Sequence, residues 1–219
     1  MVLTQRLPRA FFAQPTLQVA RELLGARLVR IEDGRRLAGY ITEVEAYVGE
    51  EDLGCHARAG RTPRTRVMYG PPGFIYMFFS YGMHWMLNFV TEPEDCPAAV
   101  LIRGVFPCRG IDVIAAHRSP QPRPSWANGP GKVCRSFNID SSFNGADMCS
   151  PQASLYVEKG IPIPDSTVKN LLGVTKCPRV GLNKVPEPWK SIPWRFCIQD
   201  IRPHLRAWYE IPGVRDQNF

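Results

Sequence analysis

The chain has 219 residues, of which 44% are hydrophobic and 21% charged, values that exclude a largely disordered protein. Its net charge of +7 favours an anionic partner, such as nucleic acid, anionic lipid or a phosphorylated ligand. No apolar stretch reaches the length of about 18 residues that a membrane-spanning helix needs, so we expect no membrane partner.

The seven cysteines include no C-x-x-C pair, which argues against a zinc ribbon. The first residues show no hydrophobic signal segment. We therefore expect reduced thiols and a cytoplasmic protein.

Short helices and strands alternate along the chain, with the 14–25 helix beginning near Pro15 and ending at Gly25. The predicted helices are 14–25, 111–117 and 132–137. The predicted strands are 27–31, 37–48, 74–80, 84–90 and 98–106, with weaker candidates at 155–157, 180–182 and 195–198. Asp33-Gly34 predicts a hairpin turn, and the proline-rich stretch 119–125 predicts a loop. These elements indicate one α+β domain spanning 1–219.

Residues 40–48 form the most informative strand, because side chains of an extended chain alternate between two faces. The predicted core face holds Tyr40, Thr42, Val44, Ala46 and Val48. The opposite face holds Ile41, Glu43, Glu45 and Tyr47. Two carboxylates and a tyrosine then follow one another at roughly 7 Å intervals. This pattern suits either an active site or the solvated face of a half-buried strand.

A histidine and a cluster of arginines follow this strand. His56 stands soon after the strand end, where site residues are common, although a single histidine is more often structural. The arginines, within nine residues that contain no acid, are Arg58, Arg61, Arg64 and Arg66. They predict either a phosphate-binding patch or a solvated basic loop.

Residues 74–89 are rich in aromatic side chains, most of which we expect in the core. Tyr81 is the exception, because it precedes Gly82 at a tight turn where its own sheet cannot bury it. Tyr81 and Met83 at such a tip would suit insertion into a base stack. Asn88 lies within an apolar strand, so its amide needs polar partners or faces a polar pocket.

Several separated motifs together resemble the alkyladenine (3-methyladenine) DNA glycosylase family of the animal type, which is also found in bacteria. The motifs are Thr42-Glu-Val-Glu-Ala-Tyr47, His56 to Arg66, Tyr81-Gly-Met-His84, Asn88, Leu101-Ile-Arg103, Gly129-Pro-Gly-Lys132 and Arg179-Val-Gly-Leu182. They occur in the family's order between about residue 10 and about residue 183.

This resemblance implies a single α+β domain with a curved antiparallel sheet, flanking helices and a protruding β-hairpin. It also implies a monofunctional base-excision repair enzyme that flips a damaged purine from double-stranded DNA and hydrolyses its N-glycosidic bond with water. The implied substrates are 3-methyladenine, 7-methylguanine, hypoxanthine and ethenoadenine. No cofactor and no metal are expected, and we expect a monomer, cytoplasmic and nucleoid-associated in a bacterium or nuclear in a eukaryote.

The resemblance also implies roles for individual residues. Glu45 would activate the water, which Arg103 and the Val180 carbonyl would position. The residues expected to bind the base are Ala46, Tyr47, His56, Phe78 and Asn88, the last by crowding the exocyclic amine of guanine. Tyr81 would fill the gap left in the duplex, with Met83 beside it. The residues expected to hold phosphates are Arg61, Arg64 and Lys132.

The sequence departs from the family pattern in three places that bear on substrate range. Phe78 stands where the family often has tyrosine, Gly104-Val-Phe-Pro107 replaces the usual alanine and glutamate, and the segment from Trp194 onward lacks the usual closing residues.

Two other functions remain open from the residues alone. One is a nucleic-acid-binding module without catalysis, which would tolerate loss of Glu45. The other is a metal-dependent nuclease, since carboxylates and histidine hold divalent cations. Its candidate ligands are Glu43, Glu45, Asp52 and His56. We interpret Glu43 as structural, paired with a nearby arginine.

Overall fold

The computed structural model describes residues 5–166 and 173–209. Its α-helices are α1 (Arg9–Phe12), α2 (Thr16–Leu23), α3 (Ile111–Arg118), α4 (Pro130–Ser136) and α5 (Arg202–Tyr209). Its strands are β1 (Arg27–Glu32), β2 (Arg35–Val48), β3 (Ile75–Ser80), β4 (His84–Val90), β5 (Ala98–Arg109), β6 (Leu155–Glu158), β7 (Thr175–Cys177) and β8 (Arg195–Cys197). None of the helices in these ranges has the length and apolar character required to span a lipid bilayer.

One curved, eight-stranded antiparallel sheet connects the described elements, which confirms the predicted α+β class. The strands run in the order β3-β4-β5-β2-β1-β6. The long strand β2 pairs with β1 through its first half and with β8 near its end, while β7 pairs with β8. The predicted domain boundaries stay a prediction, since residues 1–4, 167–172 and 210–219 lie outside the described ranges.

Alternation along the strands separates two buried clusters. The main core includes Ile75, Met77 and Leu87 and is covered by α2 and α4. Tyr76 points to the other face, where it joins a smaller buried cluster with Cys55 and other residues. Tyr47 and Phe78 pack against this smaller cluster, which therefore forms the floor beneath the candidate site.

A local irregularity of β2 corrects one predicted face. Ile41 pairs with Val105, but Glu43 pairs with Gly104, so Thr42 is an extra residue in the pairing of β2 with β5. Such a bulge resets the alternation of side chains. Ile41 therefore turns into the main core instead of sharing the carboxylate face. Glu43 is half-buried and Glu45 fully buried.

The hairpin of β3 and β4 and the Asp33-Gly34 turn agree with the predictions. The predicted strand at 180–182 is wrong, because residues 180 and 181 form a turn and the strand that pairs with β8 is β7. Helices α1 and α5 were not predicted. In α1 the segment is only four residues long, which leaves no periodic pattern to detect.

Candidate active site

Glu45 on β2 occupies the centre of the candidate site and has no exposed surface. The main-chain N–H of Val180 donates to its Oε1 at 2.7 Å, and the Tyr47 hydroxyl donates to its Oε2 at 2.8 Å. Arg103 Nε lies 3.4 Å from Oε1. One donor from the same strand and two from distant parts of the chain therefore converge on one carboxylate.

Burial raises the pKa of the Glu45 carboxyl above its ordinary value. The charge of Arg103 and the hydrogen bonds from Val180 and Tyr47 oppose this shift. Burial and the neighbouring Glu45 also raise the pKa of Tyr47 well above its ordinary value, so Tyr47 remains a hydrogen-bond donor at neutral pH. A carboxylate with a raised pKa is suited to accept a proton.

Glu43 is part of the same charged cluster. Its Oε1 accepts from Arg103 Nε at 2.9 Å and from Arg195 Nη1 at 3.1 Å. Arg195 comes from β8, which pairs with β2 beside the two carboxylates. The expected pairing of Glu43 with an arginine is thus present in the structure, and Arg103 bridges the two carboxylates.

A buried ion pair holds the segment before Val180 against β2. Arg179 and Asp52 are 4% and 0% exposed, and Arg179 Nη2 donates to Asp52 Oδ1 at 2.7 Å. Arg179 Nη1 also donates to the Ala46 carbonyl at 3.0 Å, and its guanidinium lies over the Tyr47 ring. Asp52 in turn accepts from the Gly54 N–H at 2.9 Å. This pair fixes the position from which Val180 reaches Glu45.

A cavity of about 110 Å³ opens beside Tyr47. Its walls are formed by Tyr47, Gly54, Cys55, His56, Met68, Tyr76, Phe78, Asn88, Ala99 and Leu182. Four of the predicted base-binding residues therefore line one cavity. The His56 and Phe78 rings meet edge to face with centroids 4.6 Å apart.

The hydrogen bonds of His56 define its tautomer. Arg64 lies 3.1 Å from His56 Nε2, and because arginine can only donate, Nε2 accepts. His56 Nδ1 therefore carries the proton and donates to the Tyr76 hydroxyl oxygen at 2.9 Å. Burial, with the charges of Arg64 and Arg58, lowers the His56 pKa to about 4, so the ring is neutral at pH 7.

The polar groups of Asn88 and Ala46 are placed differently. The buried amide of Asn88 donates to the carbonyls of Tyr76 and Met86 at 3.1 and 3.3 Å, and this side chain lines the cavity. The Ala46 N–H donates to the Trp194 carbonyl, and its own carbonyl accepts from Arg179. Both main-chain groups of Ala46 are thus used within the protein, which corrects the expectation that they meet a base.

The tip of the β3–β4 hairpin projects from the sheet. Tyr81 is 82% and Met83 69% exposed, as the turn predicted. Tyr81 and Gly82 both have positive φ angles, and the Met83 N–H donates to the Ser80 carbonyl. A Cβ placed on Gly181 would lie 3.9 Å from the Tyr81 hydroxyl oxygen. The tip therefore leans towards the turn that also supplies the Val180 N–H.

The three predicted phosphate-binding residues are exposed but differ in their contacts. Arg61 forms an ion pair with Asp95. Arg64 bonds to His56 and lies 5.7 Å from the Phe78 ring centroid, so it borders the cavity. Lys132 Nζ donates to Asn128 Oδ1 at 2.8 Å.

The four residues of the metal hypothesis are each engaged elsewhere in the site. Within residues 5–166 and 173–209, no group of three or more histidine, cysteine, aspartate or glutamate side chains is arranged to hold a metal ion. Asp52 is paired with Arg179, and Glu43 with two arginines. This arrangement favours proton transfer by a carboxylate over metal coordination.

Sequence reasoning missed the contribution of Arg179 and Asp52. The two residues are 127 positions apart, so no local spacing connects them. It also did not predict the contact of the Val180 N–H with Glu45; the expected role of the Val180 carbonyl in positioning water stays a prediction.

Comparison with known proteins agrees with this geometry. The model of the methylpurine-DNA glycosylase family matches residues 10–202. Three relatives bear the name "Putative 3-methyladenine DNA glycosylase". The protein of Myxococcus xanthus is 41% identical, with 89% of this chain and 90% of the relative aligned. The protein of the archaeon Methanocella arvoryzae is 45% identical, with 87% of this chain and 90% of the relative aligned. The protein of Desulfitobacterium hafniense is 41% identical, with 90% of this chain and 96% of the relative aligned. The chain therefore belongs to the methylpurine-DNA glycosylase family and is a DNA glycosylase.

Proposed function

We propose that this enzyme flips alkylated or deaminated purines out of duplex DNA and hydrolyses their N-glycosidic bond with a water activated by Glu45. The observation that carries the proposal is the buried Glu45 carboxylate. It is held by Val180, Tyr47 and Arg103, next to an aromatic-lined cavity. The proposed substrates are 3-methyladenine, 7-methylguanine, hypoxanthine and ethenoadenine.

The chemistry requires a proton acceptor near the sugar. The water oxygen attacks C1′ as the bond to the purine nitrogen breaks, its proton passes to Glu45, and the purine leaves with the bonding electrons. Positive charge builds on the sugar, and a carboxylate stabilises that charge as in glycoside hydrolysis. The raised pKa of Glu45 supports its role as the base, and the charge of Arg103 opposes this rise in pKa and so favours the ionised carboxylate.

The base would be held by the aromatic walls of the cavity. Tyr47, His56 and Phe78 would stack on the purine, and a cationic base such as 3-methyladenine would gain roughly 0.5–2 kcal/mol per cation–π contact. The neutral state of His56 supports this, because a protonated ring would repel a cationic base. Asn88 would exclude guanine by crowding its exocyclic amine. Because both main-chain groups of Ala46 are engaged within the protein, the main-chain amide of His56, a residue that lines the cavity, would meet the base edge.

The exposed hairpin tip would occupy the gap left by the flipped base. Extrusion of a base costs a few kcal/mol, and less when the base is damaged. Tyr81 would stack in the vacated space with Met83 beside it, and Arg61, Arg64 and Lys132 would contact phosphates. The closeness of Tyr81 to Gly181 supports this, because it places the tip beside the turn that holds Glu45.

We propose that water is the only nucleophile and that no metal or other cofactor takes part. A lyase step needs an amine nucleophile such as lysine. Among the described residues, none of the cavity walls and none of the groups that bond to Glu45 is a lysine. We further propose a monomer that acts in the bacterial cytoplasm on chromosomal DNA.

The test is single-turnover release of ethenoadenine or hypoxanthine from a duplex, in chelator, by wild type, Glu45→Gln and Glu43→Gln. Because Glu45→Gln lacks the general base, its excision rate should be about 10²- to 10⁴-fold lower than that of wild type. Glu43→Gln is the matched control, because it removes a carboxylate of the same cluster that contacts arginines only. It should stay within about tenfold of wild type. Equal rates for wild type and Glu45→Gln would refute the proposal, and activity lost in chelator would restore the metal hypothesis.

A further inference from the structure

A buried arginine outside the candidate active site has no compensating charge among the described residues. Arg118, at the end of α3, is 6% exposed, and its buried Nε has no hydrogen-bond partner in residues 5–166 and 173–209. The charged group that acts on it is another cation, Arg135. Within the described part of the chain no carboxylate forms an ion pair with it. Buried charges in proteins are normally paired, because an uncompensated one is costly.

Arg179 is a buried arginine of the same molecule that does have a compensating charge, although its Nε, like that of Arg118, has no hydrogen-bond partner among the described residues. It is buried to a similar degree, but it pairs with Asp52 and also donates to the Ala46 carbonyl. The contrast indicates that the partner of Arg118 is not part of the described protein. An anion between Arg118 and Arg135 would supply the missing acceptors for both guanidinium groups.

The chain segment that carries this pair is basic, although Glu32 lies near it, 3.5 Å from His117 Nε2 and hydrogen-bonded to Asn138. Helix α3 packs against α4, which carries Arg135. Residues 113–139 contain Arg118, Arg123, Lys132 and Arg135 and no aspartate or glutamate. Lys132 and Arg135 are exposed and three positions apart, so they lie on the same side of α4.

The α4 helix connects this basic side to the hairpin. A Cβ placed on Gly131 would lie 2.7 Å from His84 Cγ, so the first turn of α4 contacts the β3–β4 hairpin next to its tip. Along α4, counted from the end that contacts the hairpin, Lys132 is the first basic residue and Arg135 lies about one turn further on. A nucleic acid strand that passes the hairpin and Lys132 would next reach Arg135 and Arg118.

We propose that Arg118 and Arg135 form a binding site for one backbone phosphate of the DNA, beyond the phosphate at Lys132. The proposal rests on the proposed function for the identity of the anion. The forked guanidinium of Arg118 donates to two phosphate oxygens from below, and Arg135 closes the site from the solvent side.

The experiment measures binding of an undamaged duplex by fluorescence anisotropy over a series of salt concentrations. Variants are Arg118→Gln, Arg135→Gln, the double variant and Arg118→Lys. The matched control is Arg35→Gln, because Arg35 is an exposed arginine already paired with Asp112 in the first turn of α3. Each loss of a phosphate contact lowers the slope of log affinity against log salt by about one.

We expect Arg118→Gln and Arg135→Gln each to bind several-fold more weakly, with the slope reduced by about one. The double variant should lose little more than either single variant, because both side chains hold the same phosphate. Arg118→Lys should keep most of the slope, since it keeps the charge. If Arg118→Gln and Arg135→Gln both show the same slope of log affinity against log salt as Arg35→Gln, the proposal is overturned.

Folding is followed by Tm in the same samples. Because no carboxylate in the described ranges pairs with Arg118, Arg118→Gln should not lower the Tm. If the Tm of Arg118→Gln falls, the salt slope of Arg135→Gln alone tests the phosphate site, because Arg135 is exposed on its helix and its loss should not affect folding. A wild-type enzyme without excision would reject the proposed chemistry, while the salt slopes would still test the phosphate site.

Discussion

The two sides of the candidate site are built in opposite ways. On the catalytic side, Glu45 receives hydrogen bonds from Val180 and Tyr47, and the buried Arg179 is paired with Asp52. On the DNA side, Tyr81 and Met83 are more than two-thirds exposed. The proposed proton acceptor is thus positioned before any substrate binds, which lowers the cost of reorganisation during reaction. The side chains proposed to meet DNA are exposed and remain free to adapt to it.

Among the substitutions that test this difference between the two sides, Asp52→Asn should have the largest effect, on the free energy of unfolding. Removing one partner of a buried ion pair leaves the other charge uncompensated and typically costs about 3–5 kcal/mol. The variant should therefore unfold at much lower urea concentration than wild type. Asp112→Asn is the control, since Asp112 pairs with Arg35 at the exposed surface, and this variant should unfold at nearly the same urea concentration as wild type.

Equal unfolding free energies for Asp52→Asn and Asp112→Asn would show that the catalytic side does not depend on the buried pair. If Asp52→Asn folds at low temperature, its excision rate should also fall, because Arg179 precedes the residue whose N–H holds Glu45.

These two residues also show where sequence reasoning reached its limit. Alternation along β2 predicts that Glu43, Glu45 and Tyr47 share a face, and the Tyr81-Gly82 turn predicts an exposed tip; both are local properties. The Thr42 bulge depends on pairing with β5, so alternation alone placed Ile41 wrongly. The apolar Val180–Leu182 pattern was mistaken for a strand, because the contact that holds this turn comes from Glu45, 135 positions away.

The next largest effect should be on DNA binding by the exposed hairpin tip. Tyr81→Ala should leave stability unchanged, because the side chain is 82% exposed. Loss of one stacking interaction should weaken binding of damaged duplex by about 1–3 kcal/mol, a factor of roughly 5–150. Anisotropy titration and urea unfolding of the same sample separate the two effects.

Ser80→Ala, next to Tyr81 at the same turn, is the matched control and should bind damaged duplex like wild type. A large loss of stability in Tyr81→Ala would mean that the hairpin tip stabilises the fold. That result would contradict the view that the tip is free to adapt to DNA.

The smallest effect is the pH dependence of stability set by His56. Its pKa is about 4 in the folded protein and about 6.5 when unfolded, so the unfolded chain binds more protons between these values. Stability should therefore fall as pH drops from 6.5 towards 4. Relative to His56→Gln, wild type should lose about 1–2 kcal/mol between pH 7 and pH 5.

Chemical denaturation of both proteins across this range provides the measurement. The difference between wild type and His56→Gln isolates the imidazole, because glutamine does not titrate. A difference that stays constant with pH would mean that His56 is not held neutral beside Arg64.

The most direct test of the central claim is the pH profile of single-turnover excision of ethenoadenine by wild type in chelator. Glu45 must be ionised to accept the proton, and its pKa is raised, so the rate should fall with decreasing pH through a midpoint above 4.5. The residual rate of Glu45→Gln should lack this acidic limb. A wild-type profile without the limb, or the same limb in Glu45→Gln, would contradict the assignment of Glu45 as the base.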